Sequence, residues 1–299
     1  MPKSDINDIS QIYFKRFESQ SLQITKQLRA NTKIILVIPC YNEPNIIATL
    51  NSLAGCKKPQ FPIEVLIVIN AKKQDTTEIH LQNQQSQQRI AEWIALQQPA
   101  FLTCQVINID NLPPKHAGVG LARKIGMDEA LRRFLAISYD GLIMNLDADC
   151  TVNPNYLAAL EQTWLSQEFQ TITVYFEHKL DTLSDPQLRQ GIIYYELFLR
   201  YYINGLRFAQ FPYAFHTVGS SMGCRATTYA LSGGMNRRKA GEDFYFLHKI
   251  APLGKVVQLT DSTVYPSART SDRVPFGTGK AQQDWLSNSR HHLLLDHPQ

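Results

Sequence analysis

The feature that most constrains the fold is a pair of short apolar runs, at 33–39 and 63–70, separated by a segment of helical periodicity. Each run is rich in β-branched residues, lacks polar alternation and ends in turn-forming chemistry. Runs of this kind read as strands buried on both faces. Between them Ile46, Ile47, Leu50 and Leu53 recur at helical spacing. Strand, helix and strand in succession predict a parallel sheet covered by helices.

The same pattern continues down the chain. The Gln-rich stretch 81–98 has an apolar face of Ile90, Trp93, Ile94 and Leu96, and Gln is a good helix former, so it reads as a helix. Residues 104–109 read as a third strand, and Pro113-Pro114 interrupts the chain. A helix is expected over 118–134, with Leu121, Ile125, Ala130 and Leu131 inward. A fourth strand, 142–146, ends at Asp147. Beyond it the pattern predicts helices at 155–165 and 242–250, strands at 171–176 and 256–259, and a polar tail from Tyr265. Residues 1–30 suggest an amphipathic helix with Ile12, Phe14, Phe17 and Leu22 as its apolar contacts. The expected class is α/β, with a mostly parallel central sheet flanked by helices. Its parts are an N-terminal helical extension (1–30), a catalytic domain (31–265) and a basic loop and tail (266–299).

Composition narrows the function. With 44% hydrophobic and 19% charged residues the chain is no disordered protein, and 299 residues suffice for a large core. Thirty basic against 26 acidic residues leave a formal charge of +4, and no basic stripe supplies a footprint for nucleic acid. The five cysteines, Cys40, Cys56, Cys104, Cys150 and Cys224, show no CxxC spacing, and their odd number forbids complete internal pairing. They read as buried thiols of a reducing compartment rather than zinc ligands. Residues 1–20 lack the apolar core of a secretory signal, and no apolar run approaches the ~18 residues of a membrane span. The expectation is a cytoplasmic chain, with peripheral contact at the inner face of a membrane left open.

Three motifs carry chemistry. The first strand runs into Pro39-Cys40-Tyr41-Asn42-Glu43, without the glycine fingerprint of a dinucleotide-binding unit. Gly118-x-Gly120 has Arg123 where a third glycine belongs and follows no strand directly, so a dehydrogenase is rejected. Asp147-Ala148-Asp149 follows the fourth strand. Alternation along a strand puts i and i+2 on one side, so both carboxylates can aim into the crevice beyond the strand ends, where α/β sheets bind ligands. Such a pair repels itself unless a hard divalent cation joins it. The plain alternative is a solvated turn. Gly241-Glu242-Asp243 opens a helix, where acidic residues either complement the helix dipole or present a carboxylate base.

In this order, Pro39–Glu43, the glycine-containing segment 118–124, Asp147-Ala148-Asp149, the segment 219–234 and Gly241-Glu242-Asp243 resemble family 2 glycosyltransferases of the GT-A fold, over 33–265. The resemblance implies a Rossmann-like nucleotide-binding half lined by Pro39, with Tyr41 near the base and Glu43 near the ribose. It implies Arg123 near the nucleotide and Asp147 and Asp149 holding Mn²⁺ or Mg²⁺ on a diphosphate. Asp243 would be the general base, and Gly219, Ser220, Ser221 and Glu242 part of the acceptor and sugar wall. Many members end the second strand in an Asp that pairs with uracil. Here Asn70 holds that place and Asp75 comes five residues later, which sets this chain apart at the base. The implied partners are a nucleotide-diphosphate sugar and a saccharide or lipid-linked acceptor.

The residue chemistry agrees without the family. Glycosyl transfer needs the leaving diphosphate stabilised and an acceptor hydroxyl deprotonated. A metal held by Asp147 and Asp149 would serve the first need and Asp243 the second, in one in-line displacement with inversion.

Three features remain open at this level. The loop 267–281, with Arg269, Arg273, Gly277, Gly279 and Lys280, reads either as a lid clamping the pyrophosphate or as an ordinary surface loop. The aromatic-dense segment 191–215 reads as a core helix, a sugar-stacking platform or an interfacial patch. Among eight histidines, His178 and His216 lie beside expected strands, as ligands or as structural residues.

Rival classes are a haloacid-dehalogenase-type phosphatase with Asp147 as nucleophile, since Asp147–Thr151 fits DxDx[TV], and a glycosyltransferase-like module that binds without turnover. In the first, the motif would end the first strand, whereas here three expected strands precede it. Keeping Asp147, Asp149 and Asp243 together speaks against the second. A sugar-1-phosphate nucleotidylyltransferase would need a glycine-rich turn after the first strand, and there is none.

Overall fold

A computed structural model describes residues 6–17, 21–271 and 277–287. In chain order the elements are α1 (Ile6–Phe17), β1 (Ile34–Cys40), α2 (Ile46–Ala54), β2 (Ile63–Lys72), α3 (Thr77–Leu96), β3 (Leu102–Leu112), α4 (Val119–Ala136), β4 (Leu142–Asn145), β5 (Thr151–Val152), α5 (Tyr156–Ser166), β6 (Thr171–Phe176), α6 (Pro186–Phe208), β7 (Met222–Arg225), α7 (Ala226–Leu231), α8 (Glu242–Ile250), β8 (Val256–Tyr265) and α9 (Thr278–Leu286). The strands form one sheet in the order β3-β2-β1-β4-β7-β6-β8-β5. β1 runs parallel to β2 and β4, and β2 parallel to β3. β7 is antiparallel to both β4 and β6. The fold is therefore α/β with a mostly parallel central sheet, as the strand–helix alternation predicts.

All seven residues of β1 are buried, and all of β2 except Lys72. Helices on both faces account for the unbroken apolar runs. The chain divides into two compact units. The first comprises Met1–Tyr175 and Thr217–Val264, and the second Phe176–His216 and the chain from Tyr265. The aromatic segment within 31–265 thus belongs to the second unit.

In the first unit α4 is buried almost throughout, its charged residues included. Burial is tolerated because each charge is partnered. Arg133 forks onto Glu64, with Nη2 to Oε1 at 2.5 Å. Lys124 pairs with Asp128 at 3.1 Å, and Glu129 accepts the backbone N–H groups of Gln23 and Ile24 at 3.1 and 3.2 Å. Gly126 lets α4 lie on the sheet, for a Cβ there would come within 2.4 Å of Val37 Cγ1.

Two expectations are corrected here. α1 spans Ile6–Phe17 and buries Ile6, Ser10 and Tyr13, residues 21–30 are not helical, and Ile12, Phe17 and Leu22 are exposed. A polar anchor selects the buried face: Tyr13 donates to Asp128 Oδ1 at 2.6 Å and accepts from Lys124 Nζ at 2.5 Å. The polar tail is also more regular than expected, since α9 forms within it. In the second unit Trp285 of α9 stacks on Tyr194 of α6 at 4.9 Å, and buried Gln282 donates to the Leu188 carbonyl at 2.8 Å.

Candidate active site

The parallel strands β1 and β4 deliver their carboxyl ends side by side, and the acidic motif follows β4 directly. Strand alternation does not bring its carboxylates together, because β4 stops at Asn145. The chain instead folds into a turn in which Cys150 N–H donates to the Asp147 carbonyl at 3.1 Å. Leu146 N–H holds the approach to Val37 O at 3.0 Å, and the buried Thr49 hydroxyl donates to the Ala148 carbonyl at 2.8 Å. Within this turn one ligand-type atom each of Asp147, Asp149 and Cys150 lies within 4.8 Å of the others.

The donor set suits a hard cation through its two carboxylates. Burial, with the charges of Asp149 and Asp147 beside it, pushes the Cys150 thiol well above its usual range and keeps it protonated. A neutral thiol is no ligand for Mg²⁺ or Mn²⁺, which take oxygen. Asp147 and Asp149, both partly exposed, are the residues that could hold such an ion.

Arg123, on the first turns of α4, ties this acidic turn to the start of α8. One terminal nitrogen of its guanidinium binds Asp147 and the other Glu242, while Arg123 and Glu242 are both 3% exposed at their side chains. Gly219 lies against the guanidinium: a Cβ there would sit 2.4 Å from Arg123 Nη2. Arg123 Nε and the Ser221 hydroxyl are buried without a hydrogen-bond partner among the described residues. Ser220 and Ser221, which follow Gly219, are buried, and Glu242 lies beneath the surface as the ion-pair partner of Arg123.

Asp243, the next residue of α8, is half-buried, and its carboxylate accepts the Phe244 N–H at 2.8 Å. Burial raises its carboxyl above the usual range, with Asp147 adding to the rise. Arg123 and backbone groups of Phe244 and Gly219 oppose it. A carboxylate of raised basicity at a helix start is a better proton acceptor than a free one.

At the end of β1, Pro39 is buried, Tyr41 half-buried, and Asn42 takes a left-handed backbone conformation at φ 49°. Buried Glu43 accepts the Asn45 N–H at 3.0 Å. Asn70 is buried and its amide donates to Cys40 O at 3.2 Å and Val68 O at 3.3 Å. Its own carbonyl accepts from Asn83, whose Oδ1 accepts from Asn42 N–H at 2.9 Å. Asn83 of α3 thus ties the two strand ends, a role that nothing in its Gln-rich surroundings signals. β2 extends to Lys72, so Asp75 follows its end closely, and its carboxylate accepts the Lys72 N–H at 2.7 Å.

Arg269 and Lys280 belong to the second unit, where Lys280 pairs with Asp284 on its own helix. Arg273 lies outside the described residues. His178 is buried within the second unit, Nδ1 at 2.7 Å from Glu196 and Nε2 at 3.1 Å from the Thr278 hydroxyl.

A mostly parallel α/β sheet thus carries an acidic turn at its crevice end, joined through an arginine to a second acidic helix start. Known proteins make the assignment specific. The model of the family "Glycosyl transferase family 2" matches residues 35–227, and the chain belongs to that family. No curated protein matches the sequence. Among solved structures, S. aureus TarS 1–349 superposes with a TM-score of 0.53 at 16% identity, over 79% of this chain and 61% of that one. The same fragment in complex with UDP-GlcNAc gives a TM-score of 0.54, 16% identity and coverages of 81% and 60%. At this identity the likeness is one of fold, and this chain spans about 60% of the length of that fragment.

Proposed function

We infer that this family 2 glycosyltransferase moves a sugar from a nucleotide-diphosphate donor to a hydroxyl of a saccharide or lipid-linked acceptor, with inversion. The observation that carries the reading is the pairing of two acidic motifs by one buried arginine. Asp147 and Asp149 stand on one side and Asp243 on the other, with Arg123 joining Asp147 to the helix that bears Asp243. Structural neighbours in complex with UDP-GlcNAc and with UDP support the donor class.

Asp147 and Asp149 would hold a divalent ion, Mn²⁺ or Mg²⁺, which when bound supplies charge for a departing diphosphate. Arg123 fixes where Asp147 points. Asp243 takes the proton of the acceptor hydroxyl as its oxygen bonds to the anomeric carbon. The bond from that carbon to the diphosphate breaks on the opposite face, and the diphosphate leaves with the electron pair. The family match sets aside the phosphatase reading, in which Asp147 itself would be phosphorylated.

The test is a pair of variants on the intact chain. Asp243→Asn is expected to retain donor binding while transfer falls by ~10²–10⁴, the usual worth of a positioned base. Asp149→Ala is expected to abolish Mn²⁺-dependent binding of the donor, followed by thermal shift with UDP-, GDP- and CMP-sugars. Near-normal transfer by Asp243→Asn would refute the base assignment. A donor affinity indifferent to both Mn²⁺ and Asp149→Ala would refute the metal assignment.

A further inference from the structure

Helix α8 carries two aromatic residues directly after Asp243. Phe244 is 41% exposed and Tyr245 49%, while Phe246, Leu247 and Ile250 make the core side of the helix. Single exposed apolar residues need no explanation. This pair differs, because each ring is braced. The Phe244 ring lies 4.3 Å from the His248 ring, tilted by 38°, and meets Tyr245 edge-on at 5.4 Å. The Arg238 guanidinium stands 3.8 Å from the centre of the Tyr245 ring. Rings held in this way lose little freedom when a ligand packs on them.

The segment that supplies Arg238 is itself fixed to the site. The Asn236 amide donates to the Glu242 carbonyl at 2.9 Å. A Cβ at Gly120 would come within 2.3 Å of the Arg238 carbonyl oxygen, so the segment packs closely on the first turn of α4. All of these residues belong to the same unit as Asp243.

Position and chemistry together specify the occupant. The Asp243 carboxylate accepts the Phe244 N–H at 2.8 Å. Covalent geometry keeps the centre of the Phe244 ring within roughly 6 Å of that nitrogen, hence within about 9 Å of the carboxylate oxygen. One sugar residue stacked on the ring can therefore bring a hydroxyl to Asp243. Oxygen substituents leave the C–H hydrogens of a pyranose partly positive, and these settle on the negative face of an aromatic ring. An acyl chain would call for a longer apolar groove, whereas here Arg238 and His248 bound the two rings with polar groups.

We propose that Phe244 and Tyr245 seat the acceptor, and that the group seated there is a pyranose, its C–H face on Phe244 and a hydroxyl directed to Asp243. The proposal rests on the reading of Asp243 as the base. It deepens that reading by making the saccharide, rather than a lipid, the part of the acceptor that meets α8.

Saturation-transfer NMR on the intact chain tests it, with n-octyl β-D-glucopyranoside below its micelle concentration as the probe. This molecule offers a pyranose and an alkyl chain together. Saturation is expected to reach the C–H protons of the sugar ring. Phe244→Leu/Tyr245→Leu is expected to lower that sugar signal by about three- to tenfold. Tm should be unchanged, because both side chains face solvent and leucine suits a helix. Phe244→Trp, which keeps an aromatic face, is expected to retain the sugar signal. No sugar signal in the unsubstituted chain, or an equal one in the double leucine variant, would overturn the proposal. A loss confined to the octyl protons would assign the rings to a lipid and likewise overturn it. Failure of the base reading looks different: Asp243→Asn would transfer normally while the sugar signal still depended on Phe244.

Discussion

Replacing Arg123 by methionine tests the central claim that one buried guanidinium organises the site. The substitution keeps an unbranched apolar stem and removes the guanidinium with its charge and its hydrogen-bond donors. Glu242, 3% exposed at its side chain, is then left as an uncompensated buried carboxylate. Breaking a buried pair from one side costs about 3–5 kcal/mol. Asp147 adds little to this, because at 35% exposure water replaces much of what it loses. For a domain of ~150–250 residues, where 1 kcal/mol moves Tm by ~2–4 °C, the expected fall is roughly 6–20 °C. Removing both partners in Arg123→Met/Glu242→Met leaves no buried charge and should recover at least ~2 kcal/mol, since apolar replacement of a whole pair is often neutral. Urea unfolding followed by circular dichroism measures both variants, with m unchanged as the check on a common mechanism. A loss below ~1 kcal/mol in the single variant, or a double variant no more stable than the single, would refute the reasoning.

Three further outcomes are expected. Gly219→Ala places a methyl group 2.4 Å from Arg123 Nη2, so it should cost ~1–3 kcal/mol by overpacking and depress transfer more than donor binding, measured by parallel kinetics and thermal shift. Tyr13→Phe removes the hydroxyl that donates to Asp128 and accepts from Lys124, and is expected to cost ~1–3 kcal/mol in urea unfolding without changing donor affinity. Burial, reinforced by Arg200 and Arg207, lowers His216 from 6.5 to about 4, so its neutral form favours the folded state. Its contribution is fully present above pH 6.5 and lost as pH falls toward about 4; His216→Gln should flatten the urea midpoint across that window, and an unchanged slope would contradict it.

Much of this protein is legible in its sequence. The unbroken apolar runs of β1 and β2, and the periodic helices between the strands, determine a parallel covered sheet because burial on both faces leaves no other pattern. The acidic motifs are legible too, since carboxylates directly after a buried strand or at a helix start are set by local chemistry. Elements carried by tertiary contacts are not. β7 is four residues, Met-Gly-Cys-Arg, with no strand signal of its own, and it exists because β4 and β6 flank it. The buried face of α1 departs from its aliphatic pattern for the same reason: a hydroxyl meeting Asp128 and Lys124, 115 and 111 residues away, outweighs the aliphatic count.

The site divides along the same line. Residue identity alone singled out Asp147, Asp149 and Asp243 as the candidate groups. Only the tertiary structure decided how the first two meet, through a turn closed by Cys150 rather than by strand alternation, and that Arg123 binds both Asp147 and Glu242, the latter 119 residues further along the chain. Local patterns report which groups a backbone can present. Which buried charges share a partner depends on the contacts that close when the sheet and helices pack, and those contacts have no periodicity to read.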